Sequence, residues 1–226
     1  MMQPIDRLVW LLMILIVLCI PPAIYFAEVD LHIAQRFYIV GEGFPLSRDT
    51  IFATIHDSVR PLTIVISAML LIILLLHYFK PSLTPKAFTK SITIYLLLAL
   101  IMGPGLVVNS LFKDQWGRAR PHQVEQFGGE KQFTPPILIA DQCERNCSFV
   151  SGDPSVGFYF LAFALAFPAW RLFFLCLTFG LGGLFGVTRI VQGAHFFTDV
   201  VFSMLFTFLV CAALYKGCLR CQRNIG

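Results

Sequence analysis

The 226-residue chain is 57% hydrophobic and 13% charged, with a mean hydropathy of +0.76. Soluble domains carry about 25% charged residues. A disordered tail, a coiled coil and an ordinary cytosolic enzyme are therefore excluded, and the distribution of the net charge of +4 argues against a nucleic-acid partner.

Runs without Asp, Glu, Lys or Arg locate the elements in chain order. They predict an all-α membrane protein, one domain over 1–226, with six transmembrane helices at about 8–27, 61–79, 91–112, 154–170, 172–188 and 195–215. The first run lacks a small-x-small cleavage site and exceeds a usual signal-peptide core. Segment 28–60 is too polar to span. Ile51, Phe52, Ile55 and Val59 share one helical face there, away from Asp57 and Arg60, which predicts an interfacial helix in the headgroup region. Gly103-Pro104-Gly105 falls inside the third span, where neighbouring helices can satisfy the freed backbone groups. The last run, 200–215, reaches spanning length when its helix begins near His195.

Six spans put both termini on one side. That side carries eight basic residues and one acid, Asp6, whereas the other carries nine basic residues and twelve acids. Lys80, Lys86 and Lys90 fill a short loop with no acid, so the termini are expected in the cytoplasm. Segments 28–60 and 113–153 and the turn at 188–195 are then outside.

Three polar clusters meet the outer ends of the spans. They are Lys113 to Pro121 with Arg118 and Arg120, then Ser148 to Asp153 with Ser151 and Gly152, then Thr188-Arg189 followed by His195 and Asp199. Four cations beside a histidine and two acids predict a phosphate pocket, because guanidinium grips phosphate bidentately and ammonium acts as a point charge. Arg118 either adds to this field or anchors the interface. Ser151-Gly152 precedes a helix, whose N-terminal N–H groups can hold an anion. His195 and Asp199 are four apart and are expected on one helical face, with the carboxylate accepting from Nδ1–H and leaving Nε2 basic.

Lys-x6-Arg-Pro, Ser-Gly and Arg-x5-His-x3-Asp together resemble the three-part signature of the type 2 phosphatidic acid phosphatase family. The resemblance implies the helical core shared with vanadium haloperoxidases, phosphatase activity, and no metal or other cofactor. Gly103 to Asn109, Phe112-Lys113-Asp114, Trp116-Gly117-Arg118, Glu125 to Phe127, Cys143, Asn146 to Val150 and Gly152-Asp153 are similar to the lipid A 4′-phosphatases of Gram-negative inner membranes. That subgroup implies a multi-pass inner-membrane protein with a periplasmic active site, a lipid A substrate and resistance to cationic antimicrobial peptides. Carried over, His195 attacks phosphorus to form a phosphohistidine and Asp199 orients it. Lys113, Arg118, Arg120, Ser151, Gly152 and Arg189 hold the phosphoryl group. The broad family ends its second motif in a histidine that protonates the leaving group. Here Asp153 stands in that place, and His122 is a rival acid.

Cys143 and Cys147 lie in the outer loop, where an oxidising compartment favours a disulfide; as a metal site they lack a third ligand. Cys218 and Cys221 are expected to stay reduced. Two alternatives compete with the lipid A reading. One is a phosphatase of phosphatidylglycerophosphate or undecaprenyl diphosphate; the other is a non-catalytic protein that binds a phosphorylated lipid. A proton relay would bury its His and Asp near the midplane, whereas here every titratable group sits at one boundary, which favours an enzyme.

Overall fold

The computed structural model describes residues 4–113 and 115–220; Asp114 and Cys221, quoted above, lie outside them. Among the described residues there is no strand, only two isolated bridges, Ile39 to Gly43 and Val124 to Lys131.

Helix α1 (Pro4–Tyr25) carries Pro21 and Pro22 in its last turns, and the chain bends by 73° into α2 (Glu28–Gln35). Helix α3 (Thr50–Phe79) begins where Asp49 Oδ1 accepts from the N–H groups of Ile51 at 2.9 Å and Phe52 at 3.2 Å. Its 30 residues make about 45 Å of helix. The amphipathic stretch at 51–60 is therefore not a separate interfacial helix but the first turns of the second span. Asp57 and Arg60 interrupt the hydropathy there, and Pro61, which reads as a helix start, is accommodated inside α3.

Helix α4 (Lys90–Leu100) continues as a π-wound stretch over Ile101–Phe112. Pro104 has no N–H to give to the α-helical ladder. Side chains one π-turn on reach back to the carbonyls: Asn109 Nδ2 donates to Pro104 O at 2.6 Å and Ser110 Oγ to Gly105 O at 3.4 Å.

The expected helix at 154–170 is two short helices, α5 (Gly152–Phe158) and α6 (Leu161–Ala166), followed by a tight turn at Pro168–Trp170. Broken backbone at membrane depth is tolerable where protein surrounds it, and nearly every residue of both helices is buried. Glycine permits the closest approach: a Cβ on Gly157 would stand 2.6 Å from the Gly182 Cα of α7 (Arg171–Val191). Helix α8 (Phe197–Tyr215) closes the bundle and winds on through Lys216–Arg220. Six unbroken spans are thus not what the chain forms. Among the described residues four helices are long and apolar enough, Thr50–Phe79, Lys90–Phe112, Pro168–Val191 and Phe197–Leu219, with a fifth if α1 and α2 make one bent span.

The core joins α3, α4, α6 and α8 around Leu70, Tyr95, Leu96, Tyr159 and Phe163. Both tyrosine hydroxyls are used, Tyr159 on Leu96 O at 2.9 Å and Tyr95 on Cys211 O at 3.1 Å. Large apolar side chains left exposed, such as Leu71 and Ile72 of α3 and Leu172, Phe173 and Phe179 of α7, form the surface a bilayer would cover.

Candidate active site

Backbone hydrogen bonds sew the three polar clusters into one floor. Cys147 N–H donates to Lys113 O at 2.9 Å, Ser148 N–H to Arg118 O at 2.9 Å, and Ser151 N–H to Asp199 O at 3.2 Å. Helix α7 ends at Val191, and a left-handed turn at Gly193 sends the chain back so that His195 N–H reaches Arg189 O at 3.2 Å. Cys143 and Cys147 are joined by a disulfide, their Cα atoms 5.7 Å apart, and this short ring leads directly into Ser148.

His195 is 1% exposed. It precedes α8 instead of lying on it, so the expected shared helical face with Asp199 does not exist. Nδ1 lies 2.7 Å from the carbonyl oxygen of Ser148 and 3.7 Å from Asp199 Oδ2. A carbonyl only accepts, so Nδ1 carries the hydrogen and Nε2 keeps its lone pair. Burial, reinforced by the charges of Arg120 and Lys113, outweighs the pull of Asp199 and pushes the imidazole pKa down to about 3. Asp199 acts one step further out. It accepts from Ser148 Oγ at 2.5 Å, the Phe196 N–H at 2.9 Å and Arg118 Nη1 at 2.5 Å. Ser148 thereby links the carboxylate to the ring.

The cations divide by burial. Arg118 has no solvent exposure, lies 4.4 Å from the centre of the Phe196 ring, and spends its donors on Thr134 O, Thr198 Oγ1, Asp199 and, at 2.8 Å, Asp30 Oδ2. It is a buried clamp between α2 and α8, and the phosphate-binding role expected for it is not the one its geometry gives. Arg120 reaches Asn146 O at 2.9 Å and Oδ1 at 3.1 Å and lines a cavity of about 470 Å³ together with Arg189 and His122. Burial, then the charge of Arg189, lowers the Arg120 pKa. Lys113 ends the π-wound stretch, and its Nζ stands 3.2 Å from where a Cβ on Gly152 would be, with Asn109 Oδ1 at 2.5 Å. Any side chain at Gly152 would fill this cradle. The hydroxyls of Ser151 and Thr188 are buried and make no hydrogen bond within the protein.

Asp153 faces this pocket from the first turn of α5. Its Oδ2 is 3.2 Å from Arg189 Nε and 2.8 Å from His56 Nδ1 of α3. Burial pushes the Asp153 pKa up, but the His56 hydrogen bond and the Arg189 charge prevail and hold it below the usual carboxylate value. His122 is tied through Nδ1 to Gly193 O at 2.9 Å, and burial lowers its pKa. A second cavity, about 870 Å³ and mostly apolar, opens between α3 and α4 and ends at Asn109, Gly152 and Asp153; His56 lines both cavities.

Two residues escape a reading of motifs. His56 shares a helical face with Phe52 and Val59, inward-facing neighbours that were the available signal. Asp30 is fully buried, accepting from Thr198 N–H at 2.9 Å and from Thr198 Oγ1 at 2.5 Å as well as from Arg118. A lone acid in a short polar helix gave no hint of those partners.

Comparison with known proteins places this geometry. The chain is 39% identical over 198 residues to the lipid A 4′-phosphatase of Francisella tularensis subsp. novicida (strain U112), covering 84% of this chain and 88% of that protein. It is 29% identical over 202 residues to the lipid A 4′-phosphatase of Rhizobium leguminosarum, covering 84% and 87%. A lipid A 1-phosphatase of Rhizobium etli is 35% identical over 126 residues, 54% of this chain and 50% of that protein. No solved structure is significantly similar. The family model described as the PAP2 superfamily matches residues 92–223, the stretch that carries all three polar clusters, and the chain belongs to that superfamily.

Proposed function

We propose that this protein removes the 4′-phosphate of lipid A at the periplasmic face of a bacterial inner membrane, through a phosphohistidine on His195. The chain is a phosphatase, a phosphoric monoester hydrolase, with relatives named for lipid A. The single observation that carries the mechanism is the buried, neutral His195. Its Nε2 is free because Nδ1–H is committed to the Ser148 carbonyl, and Arg120 and Lys113 lie within electrostatic reach of it.

The steps follow from these positions. Lys113, Arg120 and Arg189 neutralise the phosphoryl oxygens, and the unpartnered hydroxyls of Ser151 and Thr188 complete the cradle. Nε2 of His195 attacks phosphorus, the bond to the sugar oxygen breaks, and water then releases phosphate from the nitrogen. The imidazolium character that develops on the ring is stabilised by Asp199 through Ser148. The apolar groove between α3 and α4 suits an acyl chain arriving sideways from the bilayer. The outer location rests on the basic loop at 80–90. The 4′ reading rests on the two 4′-phosphatase relatives that align with 84% of the chain; the 1-phosphatase of Rhizobium etli aligns with 54% and a 4′-phosphatase of the same species with 51%.

Purified protein offered bisphosphorylated lipid A, phosphatidylglycerophosphate and undecaprenyl diphosphate should act on lipid A, with mass spectrometry placing the loss at the 4′ position. Loss at the 1 position, or turnover of another lipid alone, would replace the substrate assignment. Binding without turnover of any of the three would favour a non-catalytic lipid-binding protein.

A further inference from the structure

We propose that His56 of α3 is the acid that protonates the departing sugar oxygen, with Asp153 as its positioning partner. The inference rests on the phosphatase reading above and extends it to a residue outside the matched family region, which begins at 92. A sugar alkoxide leaves poorly without a proton, so some group must supply one. Asp153 occupies the motif position, but the hydrogen bond from His56 and the charge of Arg189 keep it ionised. Its Oδ2 is already committed to His56 Nδ1 and Arg189 Nε. His122 has Nδ1 donated to the Gly193 carbonyl and is driven toward its neutral form by burial, which makes it a poor donor.

His56 has what the other two lack. The Asp153 carboxylate accepts from Nδ1–H at 2.8 Å, which fixes the ring and leaves Nε2 to face a ligand. The ring is part exposed and is the residue at which the apolar groove and the polar cavity meet. In this proposal the bond between a lipid-borne sugar and its phosphate lies at that junction. Asp153 is also within electrostatic reach of His195, the proposed nucleophile.

The step balances. As the bond between His195 Nε2 and phosphorus forms and the bond from phosphorus to oxygen breaks, the Nε2 proton of His56 passes to the sugar oxygen, leaving an alcohol and neutral His56. In the second half, His56 Nε2 takes a proton from the attacking water, phosphate leaves His195, and both rings return to their starting states. The charged groups around His56 are Asp153 of α5, in direct contact, Arg189 of α7, which touches Asp153, and Asp57 and Arg60 on α3 itself. Arg48, Glu42, Arg120 and His122 face it across the polar cavity.

The test compares kcat/KM, which reports departure of the leaving group, on an aryl phosphate and on two alkyl phosphates, phosphatidic acid and lipid A. His56→Ala and His56→Gln should lose about 100-fold or more on the alkyl esters and at least tenfold less than that on the aryl ester, whose leaving group needs no proton. The alkaline limb of the wild-type pH profile on alkyl esters, where the acid deprotonates, should vanish in both variants. Asp153→Asn should show the same selective loss, and the double variant should lose no more than His56→Ala alone. Equal losses on aryl and alkyl esters, or an unchanged alkaline limb, would overturn the proposal. Wild-type activity on phosphatidic acid but not lipid A would remove the substrate assignment and leave the His56 comparison measurable.

Discussion

At His195, burial and charge hold the ring neutral, which suits the nucleophile proposed above and is, by the same act, a pH liability. An unfolded histidine takes up its proton near pH 6.5, whereas the folded ring does so only near about 3. Between those values the unfolded chain binds the extra proton, so stability present above about pH 6.5 is lost as pH falls. At about pH 5 the loss is of order 2 kcal/mol, from roughly 1.5 units at about 1.4 kcal/mol each. His195→Asn should therefore show a smaller drop in Tm between about pH 7.5 and 5 than wild type in the same detergent. An identical drop would mean that His195 is not held neutral. Arg118 and Arg120 make the complementary case. Removing the Arg118 head group leaves Asp30 and Asp199 buried and unpaired, so Arg118→Ala should cost about 3–5 kcal/mol in stability. Arg120→Ala should keep Tm within a few degrees and lose turnover instead. Residue types in the motifs announced a phosphate pocket, but only burial tells the two arginines apart, and burial is set by α2, far away in sequence.

Among the elements, legibility followed the range of the contact. The clusters at 113–121, 148–153 and 188–199 were readable because each keeps its chemistry within a few residues. The pair of His56 and Asp153 spans 97 positions, and Thr198 and Asp30 span 168, so no local pattern foretells them. Hydropathy found α1, α4, α7 and α8 within a few residues, but misread two places where packing overrides it. Charged residues ride on the first turns of α3, and the buried segment from α5 to α6 need not be one helix because protein replaces lipid around it. The disulfide between Cys143 and Cys147 closes so short a loop that its removal should cost only about 2 kcal/mol or less. Its effect should fall on the order of the neighbouring Ser148 to Ser151 segment. Cys143→Ser with Cys147→Ser should thus lower kcat more than it lowers Tm, and peptide mapping without reduction should recover the two cysteines linked. Free thiols in protein from an oxidising compartment would contradict the bond.

For the whole molecule, the buried charged groups of the described residues, Asp30, Arg118 and Asp199, gather with His195 around the site, and the flanks of α3 and α7 are apolar, an arrangement fit for chemistry on a lipid headgroup. Cation charge there is built in as Lys113, Arg120 and Arg189. Among the described residues no cluster of three His, Cys, Asp or Glu side chains offers a metal site. With that charge supplied by side chains, the proposed mechanism expects no divalent ion: chelators should leave the rate unchanged, and orthovanadate should inhibit as a mimic of five-coordinate phosphorus. A strict requirement for added magnesium would remove this part of the mechanism. The most direct measurement is of the covalent intermediate itself. Protein mixed with bisphosphorylated lipid A, quenched within one turnover and digested at alkaline pH, should yield the peptide carrying His195 with a phosphoryl group on that ring, and His195→Asn should yield neither the phosphopeptide nor turnover. Phosphate found on a different residue, or lipid A dephosphorylated at an undiminished rate by His195→Asn, would contradict the account.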